Sequence, residues 1–189
     1  MIRLPKSISV SGGVSTGRER LNNCYALNDL CLMSAFAGAR LQSRCDVRPP
    51  FQPNVKFLVV YPLPWGGIQA GAAFQSLPGP QITASYTATN AQIAPSLGRN
   101  LSAGPNGTAT IDLIPPGTLY GERLNQLDLR ASKIFKIGNG RSIQANVDMY
   151  NAPNVDTVLA LNTTYGPLWQ KPASILQARF FKFSVQFQF

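Results

Sequence analysis

The chain ends in the stretch FFKFSVQFQF, residues 180–189, in which apolar and polar side chains alternate. Successive side chains of a β-strand lie on opposite faces of the sheet. Phe181, Phe183, Val185, Phe187 and Phe189 therefore share one face if the stretch is extended, and the polar residues between them share the other. The stretch predicts a strand with one wholly apolar face.

Five earlier stretches show the same period of two. They lie near residues 7–14, 55–65, 68–75, 124–137 and 142–149. Asn139-Gly140 separates the last two, and Asn-Gly predicts a hairpin because both residues tolerate positive φ. Gly66-Gly67 predicts a second short turn. We therefore expect an all-β fold of about six antiparallel strands that run up and down in chain order.

The connections between these strands differ sharply in length. Two are short turns, whereas residues 15–53, 78–123 and 152–174 form long loops rich in Gly, Pro, Asn, Ser and Thr. Structureless loops of this length are uncommon in compact soluble domains. In a meander, alternate connections lie at the same end of the sheet. Short turns at one end and long loops at the other are typical of outer-membrane β-barrels, whose turns are periplasmic and whose loops are extracellular.

The composition excludes several kinds of site and several classes of protein. Charged residues are 13% of the 189 residues, about half the usual share of about 25% in soluble domains. There is no histidine, which removes the imidazole general base and most zinc sites. No apolar run of about 18 residues predicts a transmembrane helix. The formal net charge is +9, but the basic residues are scattered, so we expect no nucleic-acid partner.

Charged residues of the polar faces are candidates for the lining of a hydrated lumen. These are Lys56, Arg130, Lys136, Asp128, Asp148 and Lys182. Asp128 and Asp148 lie on neighbouring strands and could be mistaken for a catalytic carboxylate pair. We expect them to form ion pairs with Arg130, Lys136 or Arg141, and we expect no enzyme.

The apolar faces can be interpreted in two ways. They meet lipid in a barrel, or they pack on a second sheet in a sandwich. Tyr61, Trp65 and Tyr150 near strand ends suit the interfacial aromatic belts of a barrel. Lys133 lies on the apolar side, where a cation costs about 2–4 kcal/mol at mid-bilayer and about 0–1 kcal/mol near an interface. Lys133 must therefore extend its ammonium to the interface or lie near a rim, or the barrel interpretation is wrong.

Several stretches together resemble a known family. They are SGGVSTGR, DVRPPFQPNVKF, LPW, FQSLPGPQI, ATNAQIAPSLGRNL, LYGERLNQLDLR, LNQLDLRASKIFKIGNGRSIQANVDMYNAPN and LNTTYGPLWQKPASILQARFFKFSVQFQF. From about residue 11 to residue 189 the chain is similar to the C-terminal end of TonB-dependent outer-membrane receptors, of the large Oar-like type that bears a carboxypeptidase regulatory domain.

The resemblance implies a transporter that takes up a scarce or bulky solute across the outer membrane of a Gram-negative-type bacterium, with no covalent chemistry and no cofactor. Residues 1–189 would then be the C-terminal portion of a barrel of about 22 strands. The signal peptide, the TonB box, the plug and most barrel strands would be missing. The implied partners are outer-membrane lipid, the barrel-assembly machinery and, through the missing plug region, TonB.

The resemblance also assigns roles to residues. Phe181, Phe183, Val185, Phe187 and Phe189 match the aromatic signal that the assembly machinery reads. Cys24 and Cys45 match a cysteine pair in the long first loop, where Cys31 is a departure. The residues alone leave open one disulfide with one free thiol, or three free thiols.

Two other classes of protein remain as alternatives. The first is a soluble or secreted all-β binding module, such as a sandwich that uses the loops around Tyr165 and Trp169. The second is a small basic nucleic-acid binder. Dependence on detergent separates the barrel section from both.

Overall fold

The computed structural model describes residues 2–4, 7–22, 46–138 and 140–189. These residues form strands and one short helix. In chain order they are β1 (Ile2–Leu4), β2 (Ile8–Gly17), β3 (Leu21–Asn22), β4 (Asp46–Val47), β5 (Gln52–Pro62), β6 (Ile68–Leu77), β7 (Ser85–Thr89), α1 (Asn90–Leu97), β8 (Thr108–Asp112), β9 (Leu124–Gly138), β10 (Arg141–Tyr150), β11 (Val158–Leu161), β12 (Pro172–Ile175) and β13 (Phe180–Gln188).

One antiparallel sheet organises the molecule, with strand order β1-β2-β5-β6-β9-β10-β13. Its six long strands are the six that the alternation predicts, and they follow one another in chain order. The three-residue strand β1 was not predicted. Strands β1 and β13 lie at opposite edges and do not pair with each other, so the described residues form an open sheet and not a closed barrel.

Each face of this sheet has its own chemistry, which the pairing register defines. One continuous row across the six long strands is wholly apolar, and we call its side of the sheet the apolar face. It consists of Val10, Val59, Ala72, Leu129, Met149 and Phe181. A row on the other side, the polar face, consists of Gln69, Ser132, Asn146 and Ser184.

Burial is inverted relative to a soluble protein. Along β10, Asn146 is 7% exposed, Val147 39% and Asp148 4%. Phe183 on β13 is 76% exposed, and no second sheet of the described residues covers it. The sandwich alternative requires such a second layer, because two sheets must bury their facing apolar sides against each other.

The two ends of the sheet differ as the loop lengths predict. At the turn end, Leu63 N donates to Ile68 O at 2.8 Å to close the β5–β6 hairpin. Gly66 and Gly67 there have φ of 52° and 73°, a region in which residues other than glycine are strained. Gly138 pairs with Arg141 in the β9–β10 hairpin at the same end.

The long connections are more ordered than expected. They contain the β3–β4 pair, the β7–α1–β8 unit and the β11–β12 pair, although the sequence suggested loops alone. Helix α1 begins after Thr89, whose backbone N–H donates to the Gln92 side chain at 2.9 Å, and ends at Gly98, which has φ of 72°. Each short element is stabilised by pairing within its own connection.

The second and third long connections join at the long-connection end. Trp169 Nε1 donates to Thr83 O at 2.9 Å, and the Ser85 backbone exchanges hydrogen bonds with Thr163 and Tyr165. The buried hydrophobic residues among those described, Ala84 and Ala88, lie in this layer and not in the main sheet. The described residues therefore form a small loop layer with its own packing at the long-connection end of the sheet.

A close contact on the apolar face joins β2 to β5. Gly12 pairs with Phe57, and a Cβ at Gly12 would lie 2.6 Å from Phe57 Cδ1 and 2.3 Å from Lys56 O. The Phe57 ring therefore lies over bare backbone. Such aromatic cover compensates for the missing side chain of a strand glycine.

Candidate functional site

The polar face carries all six charged residues that the sequence singled out, and an ion pair lies near its middle. Arg130 and Asp148 are register partners on β9 and β10. The Arg130 guanidinium forms a bidentate pair with Asp148, in which Nε contacts Oδ1 and Nη2 donates to Oδ2 at 3.1 Å. Asp148 is buried whereas the Arg130 side chain is half exposed. Lys182 is the register partner of Asp148 on β13.

Small polar side chains extend from this pair toward the turn end. Gln144 Nε2 donates to Asn146 Oδ1 at 2.8 Å, and Asn146 Nδ2 donates to Ser184 Oγ at 3.4 Å. Ser132, the register partner of Asn146, is 5% exposed. Buried polar groups are stable when their hydrogen bonds are satisfied. The polar face is therefore a hydrogen-bonded layer and not a set of isolated charges.

Asp128 does not form the ion pair that the sequence predicted for it. Its carboxylate accepts hydrogen bonds from Gln126 Nε2 at 2.9 Å and from the Asn151 backbone N–H at 2.9 Å. The expectation of pairing with Arg130, Lys136 or Arg141 was thus wrong for Asp128, because Arg130 is held by Asp148. The carboxylate instead fixes the start of the third long connection.

Three lysines of the polar face stand apart from these networks. Lys56, Lys136 and Lys182 are exposed, and within the described part of the chain their side chains make no hydrogen bond or ion pair. Each keeps its charge available for solvent, solute or a further segment of protein. The polar face is not uniformly polar, since Leu58 on β5 is 46% exposed on the same side.

The aromatic row of β13 lies on the apolar face and is open. Phe181 is 57% exposed, Val185 60% and Phe187 60%. Phe189 follows the end of β13 and is 97% exposed. This row is the face that lipid or a protein partner would meet.

The apolar face is bounded by polar groups at both ends of β9. Toward the long connections, Ser76 Oγ donates to Asn125 Oδ1 at 2.7 Å, and Arg123 Nη2 donates to Pro53 O at 2.7 Å. Toward the turns, Lys133 Nζ donates to Gly66 O at 2.5 Å. Lys133 pairs with Ile68, the first residue of β6, and with Ala145 in the interior of β10, so it lies at the turn-side end of the β6–β9 pairing.

The candidate belt aromatics lie on different faces. Tyr61 is on the apolar face, and Trp65 is 69% exposed at the β5–β6 turn. Tyr150 lies on the polar face and stacks on Phe180 with ring centroids 4.7 Å apart. Its assignment to a lipid-facing belt was therefore wrong, because its place in the alternation puts it on the same side as Asp148.

A buried asparagine at the top of β10 was missed by the sequence analysis. Asn151 is 2% exposed with φ of 51°. Its Nδ2 donates to Val155 O at 2.8 Å and to Gln177 O at 2.9 Å, and its Oδ1 accepts from Val155 N at 3.0 Å. The side chain therefore ties both ends of the third long connection together. The run Asn-Ala-Pro-Asn at residues 151–154 was the available sign of this turn.

Two open clefts flank β5. One of about 570 Å³ lies at the long-connection end and is lined by residues that include Arg18, Pro50, Gln81 and Tyr120. The other, of about 360 Å³, is lined by Lys56, Gln75 and Asp128 among others. Both are shallow depressions whose walls mix polar and apolar groups.

Other sequence expectations meet the structure only in part. Cys24, Cys31 and Cys45 lie outside the described residues, so the disulfide remains a prediction. No cluster of three histidine, cysteine, aspartate or glutamate side chains that could hold a metal occurs among residues 2–4, 7–22, 46–138 and 140–189. In the same ranges, no helix has the length and apolar character needed to cross a bilayer.

The chain stands apart in the comparisons with known proteins. No protein-family model, no curated protein and no solved structure matches it. The proposal that follows therefore depends on the sheet, its faces and the resemblance of the sequence stretches.

Proposed function

We propose that the sheet is a section of the wall of an outer-membrane β-barrel, within a TonB-dependent transporter that takes up a scarce or bulky solute. The observation that carries this proposal is the inverted burial of β10 and β13, where Asp148 is 4% exposed and Phe183 is 76% exposed. In water, such a phenylalanine row would be unfavourable by about 25 cal/mol for each Å² of apolar surface. In a bilayer the same row meets hydrocarbon, and the polar face meets a hydrated lumen.

Strand length supports a bilayer as the environment. Strands β2, β6 and β10 have 10 residues each, β5 has 11 and β13 has 9. A tilted strand needs about 9–11 residues to cross the hydrocarbon region. The polar boundary at Asn125 and the cation at Lys133 enclose a nine-residue segment of β9, counted inclusively, which has the same length. Strand β9 itself is longer because its hairpin with β10 extends beyond β6.

The open edges support the view that further strands complete the wall. An unpaired strand edge in lipid leaves backbone N–H and C=O groups unsatisfied, at several kcal/mol for each group. Within the described residues, β1 and β13 have no neighbour on their outer sides. We propose that barrel strands outside residues 1–189 pair with both edges.

The proposal gives each part of the structure a role. The aromatic row Phe181 to Phe189 would be read by the barrel-assembly machinery, and the loop layer would face the cell exterior. The unpaired lysines of the polar face would lie in the lumen. Energy would come through TonB by way of a plug region, and the wall itself would perform no bond-making chemistry.

A scan with an environment-sensitive label tests the membrane placement directly. We would place single cysteines at residues 182 to 185 in a C24S/C31S/C45S chain and attach an NBD fluorophore in detergent micelles. We expect blue-shifted, enhanced emission at 183 and 185 and water-like emission at 182 and 184. A chain that is soluble without detergent and shows no alternation would support the binding-module alternative and contradict the barrel.

Experiments on cells test the transport role. An antibody to the loop at residues 97–110 should bind intact cells, and the protein should fractionate with the outer membrane. Deletion of the gene should abolish uptake of its solute, and removal of TonB should do the same. Uptake that continues without TonB would contradict the proposed energy source. Removal of Phe189 should lower the yield of assembled protein, whereas Gln188→Ala should not.

A further inference from the structure

Charge is distributed unevenly between the two ends of the sheet. The described acidic residues lie in the long connections or, for Asp128 and Asp148, nearer the long-connection end of their strands. From Leu129 to Val147 the sequence contains four basic residues and no acidic one. Arg130 is paired with Asp148, whereas Lys133, Lys136 and Arg141 have no ion-pair partner among the described residues.

Lys133 is one of the cations at the turn end of the sheet. Its stem crosses the apolar face, and its ammonium donates to Gly66 O at 2.5 Å and lies 5.8 Å from the Phe135 ring centroid. Gly66 follows Trp65, whose side chain is 69% exposed. A lysine that extends to a polar boundary beside an exposed tryptophan is typical of the interface between hydrocarbon and headgroups.

Arg141 adds a second cation at the same end. It opens β10 opposite Gly138 and is exposed, and its guanidinium has no ion-pair partner among the described residues. The pairing register shifts between Arg141 and Ser142, so Arg141 lies at the hairpin itself and not in the regular alternation of either face. Lys136 lies on the polar face and so faces away from lipid.

We propose that the turn end of the sheet binds anionic phospholipid headgroups through Lys133 and Arg141, with Trp65 seated at the headgroup level. The proposal rests on the membrane placement given above and adds a lipid preference that this placement does not require. A phosphate group supplies the negative charge with which both cations can pair. Each basic residue near an anionic surface adds about a fivefold factor in affinity.

The test measures binding of the full chain to vesicles. The chain would be diluted from detergent into phosphatidylcholine vesicles with or without phosphatidylglycerol and followed by co-sedimentation. In a W169F background, the emission of Trp65 would report on the turn end. The variant K133Q/R141Q removes both cations, and R99Q/K171Q removes one arginine and one lysine from exposed positions of the long connections as a matched control.

We expect phosphatidylglycerol to strengthen binding of the parent chain and of R99Q/K171Q. K133Q/R141Q should lose roughly 25-fold of that gain, and the gain should shrink at high salt. Unchanged lipid preference in K133Q/R141Q, or competition by inorganic phosphate or a DNA duplex as strong as that by the anionic lipid, would overturn the inference and leave the membrane placement intact. Failure to bind either vesicle would overturn both.

Discussion

The two faces of one strand pair, β10 and β13, differ more than any two layers of the molecule. On the polar face, the carboxylate of Asp148 is buried and pairs with Arg130. On the apolar face, Phe183 and Phe187 are mostly exposed although they are large hydrocarbons. Each face thus lies in the environment that it would avoid in a soluble protein.

The difference shows that hydrogen bonding within the sheet, and not apolar packing, protects the polar face. Asn146 and Asp148 are buried and hydrogen-bonded to Gln144, Ser184 and Arg130, and Ser132 is the buried register partner of Asn146. Among the described residues, the apolar face has no such cover. Four sets of substitutions test this difference and the contacts around it.

The largest expected effect is that of a cation on the apolar face. Phe183→Arg should lower the free energy of unfolding in a bilayer by about 2–4 kcal/mol, because the guanidinium would lie in hydrocarbon. Gln186→Arg places the same group on the polar face and should change the value by less than about 0.5 kcal/mol. Denaturant unfolding in lipid would measure both, and equal effects would contradict the assignment of the faces.

A smaller loss is expected at the junction of the polar face with the third long connection. Asn151→Ala removes three hydrogen bonds of a buried side chain and should cost about 2 kcal/mol. It should also speed proteolysis of residues 152–175. Thr163→Ala, in the same connection but exposed, is the matched control. Equal protease resistance in the two variants would show that Asn151 does not tie the connection.

Neutralising the central carboxylate should have a moderate effect. Asp148→Asn keeps the shape but removes the charge that Arg130 pairs with, and should cost about 1 kcal/mol because Arg130 is half exposed and water screens it. Asp156→Asn changes an exposed carboxylate and serves as the control. In a double-mutant cycle with Arg130→Gln the two changes should not add, and strict additivity would exclude a coupling between them.

The smallest effect belongs to a charge cluster outside both faces. Hydrogen bonds from Arg20 and then from Arg48 hold the pKa of Asp46 well below its ordinary value. Because the folded pKa is lowered, this cluster stabilises the first connection above about pH 4, and the contribution is lost as pH falls toward the folded pKa. NMR titration should show that Arg20→Gln raises the pKa of Asp46 more than Arg48→Gln does. The reverse order would contradict the assigned roles.

Much of the sheet followed from alternation alone. A strand with one apolar side needs only period two to be placed, so β9, β10 and β13 lie where residues 124–137, 142–149 and 181–189 predicted them. The Arg130–Asp148 pair followed from two charged residues on the polar sides of adjacent strands.

The parts that escaped prediction depend on contacts between distant residues. Strands β7 and β8 are five residues each, too short for a reliable period, and exist because they pair with each other. The partner of Asp128 is a backbone N–H at Asn151, which no side-chain pattern reveals. The left-handed conformation of Asn151 likewise depends on where the third connection must turn.

The contact between Gly12 and Phe57 has a consequence for the variation that the chain can accept. Position 12 tolerates no side chain, because the space for its Cβ is already filled by the Phe57 ring and by Lys56 O. Position 57 must keep a broad, flat side chain, since the backbone at Gly12 would otherwise be uncovered. Residues 12 and 57 should therefore vary together in evolution. A residue with a methyl group at 12 becomes acceptable only after the aromatic ring at 57 has been lost and the strands have moved apart.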